Sequence, residues 1–377
     1  RPPRSTLFPY TTLFRSQKMS RPCSLKDIAQ ECGVSVSTVS QILKNSPRDY
    51  SSEQTRAKVR ETARKLGSRR NYGYRLMRGQ KTMTVAIMAS MEHMRSEEHV
   101  SKLVIELMSC FDHHGYASYF NTFVYDAQEN LNKVRDLLAR GVECFVAVGA
   151  PVGHKELERE IEEQGGYLIS TSREFRNHIF MSDLSASRRI VCYLYERAGE
   201  NFCFFPCSNP LPGRFAALKE VFKHLSQEEL LRRHTCCCIS YKECRGNYPD
   251  FAFREGYAAT EKACGMNPRL RGFFYENDGF ALGGIAYLVQ SGRQIGRDVW
   301  VAGYNNDSAI RNAPYPVSSV DHDWEHHAPL FVEKALKNEP CQTVLDTTAH
   351  IREYIPGTNR IHEIDFVSSE EEYESSK

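Results

Sequence analysis

A chain of 377 residues, 41% hydrophobic and 25% charged, is long enough for two or three domains with their own cores. No stretch approaches the roughly 18 consecutive apolar residues of a membrane-spanning helix, which excludes that class. The net charge of +2 hides an asymmetry: residues 21–81 hold 14 Lys/Arg against 5 Asp/Glu, residues 1–20 add four basic side chains, and residues 82–377 sum to −11. A basic head on an acidic body is the charge layout of a polyanion-binding module joined to a sensor.

Residues 1–18, RPPRSTLFPYTTLFRSQK, repeat Thr-Leu-Phe at 6–8 and 12–14 without helical or strand period. They read as a non-native leader, similar to translated sequencing adapter, with Met19 the expected natural start. No secretory signal is recognised, so a reducing, cytoplasmic setting is expected.

In LKDIAQECGVSVSTVSQILKN (25–45), Leu25, Ile28, Ala29 and Cys32 recur at helical spacing and Gly33 breaks the run. Ser35 sits where an N-cap opens a second helix, whose apolar stripe is Val36, Val39, Ile42 and Leu43. Two short helices around a glycine turn are the minimal device for setting one helix in a DNA major groove. A third helix is expected from the Ser51/Gln54 capping pattern to Gly67, with Val59, Ala63 and Leu66 on one face. The head is therefore placed at 23–67, and the basic, glycine-punctuated stretch 68–82 is a hinge.

From residue 83 short strands and helices alternate to about 358: TVAIMAS, a helix over 97–114, CFVAVGA, a helix over 154–164, YLIST, HIFMSDL, and so on through HTCCCISY, RGFFYEND and VWVAGYN. This rhythm predicts an α/β body of two parallel, doubly wound sheets. Residues 359–377 form an acidic tail, expected to be disordered.

Thirteen cysteines contain no CxxC pair. Cys203/Cys207 and Cys236–Cys238 lie in apolar runs, where free Cys behaves as a small hydrophobe. A metal site built from them with His234 and Cys244 is not expected, and no metal or cofactor is assigned. There is no nucleophile elbow or phosphate loop; ALGGIAYLVQ lacks the phosphate-loop Lys, and His326-His327 are adjacent rather than i, i+4. Enzyme activity is not expected.

The order of helix-turn-helix, third helix, basic hinge and two-lobed α/β body resembles the LacI/GalR family of bacterial transcription regulators. The resemblance is carried by LKDIAQECGVSVSTVSQIL, by GRFAALKEV (213–221), and by FFYENDGFALGGIAYLVQSGRQIGRDVWVAGYNND (273–307). It implies an N-terminal helix-turn-helix head and a periplasmic-binding-protein-like effector domain. It also implies a homodimeric repressor that reads a pseudo-palindromic double-stranded operator, with no membrane role. A small effector, with sugars the expected class, would bind between the lobes. A sugar-binding protein without a DNA role is the alternative.

The resemblance also assigns residues. Val36, Ser37 and Gln41 occupy base-reading positions, suited to a thymine methyl, a hydrogen-bonding edge and adenine N6/N7. Val36 stands three residues before Val39, so a core position is the competing reading. Thr38, Ser40 and Asn45 suit phosphate contact or capping. In the hinge, Met77 falls at the lever that wedges the minor groove. There the family's Tyr-x-Pro is Ser68-Arg69-Arg70 and its small Ala is Tyr74, while Arg70, Arg75 and Arg78 supply phosphate contacts. Arg214 and Asp278 match charged effector ligands, with Ser90 and Asn277 as further candidates. Asp278 can instead cap its helix, and Asp183 is expected to cap ASRRIVCYL. Asn305 stands where the family has Asp. Phe204, Tyr304 and Trp324 are candidates for stacking on a sugar face or for the core.

Overall fold

A computed structural model describes residues 23–43, 49–66, 82–206, 212–236 and 248–366. The chain divides into two units, 1–81 and 82–377.

The first unit holds α1 (Leu25–Cys32), α2 (Val36–Leu43) and α3 (Glu53–Lys65). Ser24 and Asp27 close a reciprocal capping box at α1, and Gly33 ends that helix at φ 70°, a left-handed conformation natural to glycine. Ser35 Oγ accepts the Thr38 N–H at 3.0 Å, the cap expected for α2. The cap of α3 is Ser52, accepting from Thr55 N–H at 3.2 Å, and not Ser51. Ser51 N–H is held instead by Asp49 Oδ1 at 2.9 Å. Ile28, Val39, Ile42 and Val59 form the core with Ala29, Cys32 and Ala63. Leu25, Leu43 and Leu66 are exposed, because three short helices meet along one narrow seam that only part of each apolar stripe can reach.

In the second unit the chain runs β1 (Thr84–Ser90), α4 (Met91–Ser96), α5 (Glu98–His113), β2 (Ala117–Phe123), α6 (Ala127–Ala139), β3 (Cys144–Val148), α7 (His154–Glu163), β4 (Tyr167–Ser170) and β5 (His178–Ser182). It continues α8 (Leu184–Ala198), β6 (Phe202–Phe205), α9 (Pro212–Val221), α10 (Gln227–His234), α11 (Tyr248–Met266), β7 (Gly272–Tyr275), α12 (Asp278–Gln290), β8 (Trp300–Ala302), α13 (Ser308–Arg311) and β9 (Val317–Asp321). Then follow α14 (Trp324–Lys337), β10 (Gln342–Asp346), β11 (Thr348–Tyr354) and β12 (Ile361–Ile364). The strands form two six-stranded sheets, β10-β5-β4-β3-β1-β2 and β12-β11-β9-β8-β7-β6. Apolar clusters cover both faces of each sheet, so inner strands such as TVAIMA are buried throughout.

The chain crosses between the lobes at Asp183, at His322–Asp323 and at Thr347. The two sheets are mostly parallel, as expected, and this connectivity adds antiparallel pairing at one edge of the second. β9 leaves the second lobe at the junction and β11 re-enters there, so β11 runs antiparallel to β9, and β12 antiparallel to β11. Of the expected strand HTCCCISY only the first three residues are described: His234 ends α10, which Ser226 and Glu229 open with a capping box. Thr235 makes one bridge to Phe204, and residues 237–247 lie outside the described residues. Cys203 and Cys236 are buried, and the described cysteines are free thiols. Among the described residues no helix is long and apolar enough to cross a membrane.

Candidate functional site

In the head, α2 turns Val39 and Ile42 into the core and leaves Val36 44% exposed. Val36 is therefore on the open face and not a core residue. Ser37 beside it is exposed, and Ser40 and Gln41 are half-buried. Thr38 is engaged in the cap, its hydroxyl 2.8 Å from Ser35 Oγ. Lys58 Nζ donates to Cys32 O at 3.2 Å, tying α3 to the electronegative end of α1 and fixing the platform that presents α2. Asn45, Arg70, Arg75, Met77 and Arg78 lie outside the described residues, as do Ser68 and Tyr74.

In the body a cleft of about 600 Å³ opens between the lobes, lined among others by His99, Asp183, Arg214, Tyr304, His322 and Trp324. Strand ends and crossovers deliver these side chains, the usual place for a ligand in open α/β sheets. His99 and His322 stack at 4.5 Å, His322 stacks on Trp324 at 5.3 Å, and Tyr304 meets His322 edge-on at 5.5 Å. The guanidinium of Arg214 lies 3.5 Å over the Tyr304 ring. Its Nη1 donates to Glu276 Oε1 at 2.7 Å, and its Nε is 3.3 Å from the Asp183 carboxylate. Gly213 makes room for that pair, since a Cβ there would collide with Asp183 Oδ1.

Burial pulls the Arg214 pKa down, but Glu276, Tyr304 and Asp183 together outweigh it and keep the guanidinium charged. Burial likewise pushes the Asp183 carboxyl up, against the pull of Arg214. His99 and His322 are lowered to about 3, by burial first and then by neighbouring positive charge, so both are neutral imidazoles at pH 7. Nδ1 of each, Nε1 of Trp324 and Nε of Arg214 are buried and make no hydrogen bond among the described residues. Flat ring faces beside unsatisfied polar atoms suit a small ligand with apolar faces and hydroxyl edges.

Of the four expected effector residues, only Arg214 lines this cleft. Asn277 is the N-cap of α12, its Oδ1 accepting from Phe280 N–H at 3.1 Å, and it lines a second interlobe cavity of about 560 Å³. Asp278 is fully buried and lines neither cavity. Its oxygens accept from Asp307 N–H at 2.7 Å and Ser319 Oγ–H at 2.8 Å, and burial holds its carboxyl well above the ordinary value. Ser90 caps α4 through His93 N–H at 3.4 Å. Asp183 makes no side-chain capping bond to α8, contrary to expectation, because Arg214 draws its carboxylate into the cleft. Tyr304 and Trp324 line the cleft, whereas Phe204 is fully buried in the core. His99, His322 and Asp183 were missed as site residues. For His322 and Asp183 the signal was available, since each directly follows a strand at the lobe junction.

Residues 24–71 match the family described as bacterial regulatory proteins, lacI family, and residues 219–346 match the periplasmic binding protein-like domain. The transcriptional regulator CelR of Thermobifida fusca is 23% identical over 354 residues, covering 89% of this chain and 99% of its own. A lac repressor dimer bound to operator and the anti-inducer ONPF superposes with a TM-score of 0.64 at 19% identity, over 87% of this chain and 98% of that one. A CelR–cellobiose complex superposes at 0.57 and 20% identity, over 88% and 99%. Structural likeness at such identity speaks to the fold.

Proposed function

We propose that the chain, whose residues 24–71 match the bacterial regulatory proteins of the lacI family, is a sequence-specific DNA-binding transcription regulator acting as a repressor in the cytoplasm. The observation that carries this reading is the exposed Val36–Ser37 edge of α2 on a helix whose opposite face is core. That edge offers Val36, Ser37 and Gln41 to base edges in a major groove. The chain acts as a homodimer, each copy reading one half-site of a pseudo-palindromic operator. Exposed Ile105 and Met108 on α5 offer apolar surface for a second copy.

A small neutral effector, of the sugar class, binds between the lobes against the His99–His322–Trp324 stack and Arg214. The cellobiose held by the CelR complex supports that class. The relatives that the chain matches are transcription regulators, which supports a cleft that binds its ligand without transforming it. Effector binding biases lobe closure and so the head's hold on DNA, a coupling of about 1–3 kcal/mol. The test removes residues 1–81. The remaining body should keep ligand binding, read by thermal shift on a sugar panel, and lose every operator footprint. A footprint retained by the body alone would overturn the assignment of DNA reading to α2.

A further inference from the structure

The second interlobe cavity has a different chemistry from the first. Glu97 and Glu98 from one lobe and Asp250 and Asp307 from the other line it, with Arg95 the one basic side chain of that lining among the described residues. Glu98 is engaged, its oxygens taken by Ser308 and Arg311. Glu97 lies 3.4 Å from His99 Nε2, an imidazole that burial keeps neutral, so no positive charge compensates it there. Asp307 Oδ1 is buried and accepts no hydrogen bond among the described residues. Burial, with Glu98 and Glu97 close by, raises its carboxyl to about 7.

Asn305 adds an independent observation. It is 9% exposed, lines the same cavity, and its amide makes no hydrogen bond among the described residues. An amide nine-tenths buried, lining a cavity and left without protein partners points to a ligand that supplies them.

We propose that this cavity binds a small polyol bearing a primary ammonium group, an amino sugar in chemical class, with the ammonium between Asp307 and Glu97 and a hydroxyl on Asn305. A neutral sugar would satisfy Asn305 and bring no cation to Glu97 and Asp307. An anion would be repelled by Glu97 and by Asp307 once ionised. A primary ammonium carries three donors, enough for two carboxylates and one further acceptor. Because Glu97 and Asp307 stand in different lobes, such a ligand favours the arrangement in which they face each other. The proposal rests on the effector reading only in placing a ligand between the lobes.

The full chain is titrated, by calorimetry and thermal shift, with glucosamine, N-acetylglucosamine and glucose, and with the matching galactose set. The amines should bind about tenfold tighter than both neutral relatives. Asp307→Asn should erase that preference, while Trp324→Phe in the first cleft keeps it. Glu97→Gln, at a half-buried surface position, gives a second reading should Asp307→Asn melt early, and it should also narrow the preference. Equal binding across a set, no response to either amine, or a preference that survives both carboxylate substitutions overturns the site. Operator binding by the unliganded chain is scored separately: its absence sinks the regulatory reading and leaves the amine preference readable.

Discussion

Glu98, at the start of α5 in one lobe, accepts two hydrogen bonds from Ser308 in the other, from its N–H at 3.0 Å and from its Oγ–H at 2.6 Å. Arg311 adds an ion pair at 3.4 Å. The contact stands beside the crossover at His322, on which His99 stacks at 4.5 Å, and adds a side-chain tie between the lobes to the covalent one. Glu98 is partly exposed, and its loss costs about 1 kcal/mol. That is minor for unfolding yet substantial against a lobe equilibrium of a few kcal/mol. Glu98→Ala should speed amide exchange through Ser308–Arg311 severalfold and raise the radius of gyration in solution scattering, with little change in melting temperature. Unchanged exchange would show that the crossovers alone hold the lobes.

On α2 the two faces should separate cleanly by mutation. Gln41→Ala and Val36→Ala should each weaken binding to an operator recovered by selection from random duplexes, by about 1–3 kcal/mol, with the head's melting unchanged. Val39→Ala, at a fully buried position, should cost about 2 kcal/mol of head stability. Anisotropy titrations paired with circular dichroism melts read both. A Val36→Ala protein that melts early but binds normally would return Val36 to the core.

How much was legible in the chain follows from how local each cause is. The α2 cap at Ser35 and the seam of Ile28, Val39 and Val59 follow from neighbours within a few residues, so spacing alone found them. Asp183 has the right position for a cap, but an arginine thirty-one residues away outbids α8 for its carboxylate. His99 and His322 meet across more than two hundred residues, and no spacing signals that stack. The antiparallel edge of the second sheet likewise depends on where the chain re-enters that lobe after β10, which strand–helix alternation does not reveal. Arg214 was reached through family resemblance, and its partners Glu276 and Asp183 through the fold.

Arg214 is the one predicted effector residue that the cleft contains, and it also holds the cleft together. Removing it strands Glu276, which is 3% exposed, beside Asp183 without their shared cation. Breaking a buried pair in this way costs about 3–5 kcal/mol. Arg214→Lys keeps the charge but loses the planar fork and its stacking on Tyr304. The lysine variant should therefore unfold in urea at a midpoint between those of wild type and Arg214→Ala, and should bind cleft ligands weakly. Equal midpoints for the two variants would mean that fork geometry, rather than charge, carries the stability.

Asp307 and the His99–His322 pair tilt stability with pH in opposite directions. The Asp307 carboxyl titrates near 3.8 when unfolded and at about 7 in place, raised by burial first and then by Glu98 and Glu97. Between those values the native state keeps a proton that the unfolded chain has released, so this contribution is whole below pH 3.8 and is lost as pH rises through 7. The histidines run the other way: ordinarily 6.5 and about 3 in place, they favour folding above pH 6.5 and cease to do so as pH falls toward 3. Over pH 4–6.5 the two effects offset each other, which makes the wild-type profile a poor reporter of either. Asp307→Asn isolates the first. Its unfolding free energy should gain on wild type from pH 4 to pH 7, by at most about 4 kcal/mol for a shift of roughly three units, and the gap should be flat below pH 4. Urea titrations at pH 4, 5.5 and 7 measure that gap directly. A gap independent of pH would mean that Asp307 is ionised throughout in the folded protein and that a counter-cation already sits beside it.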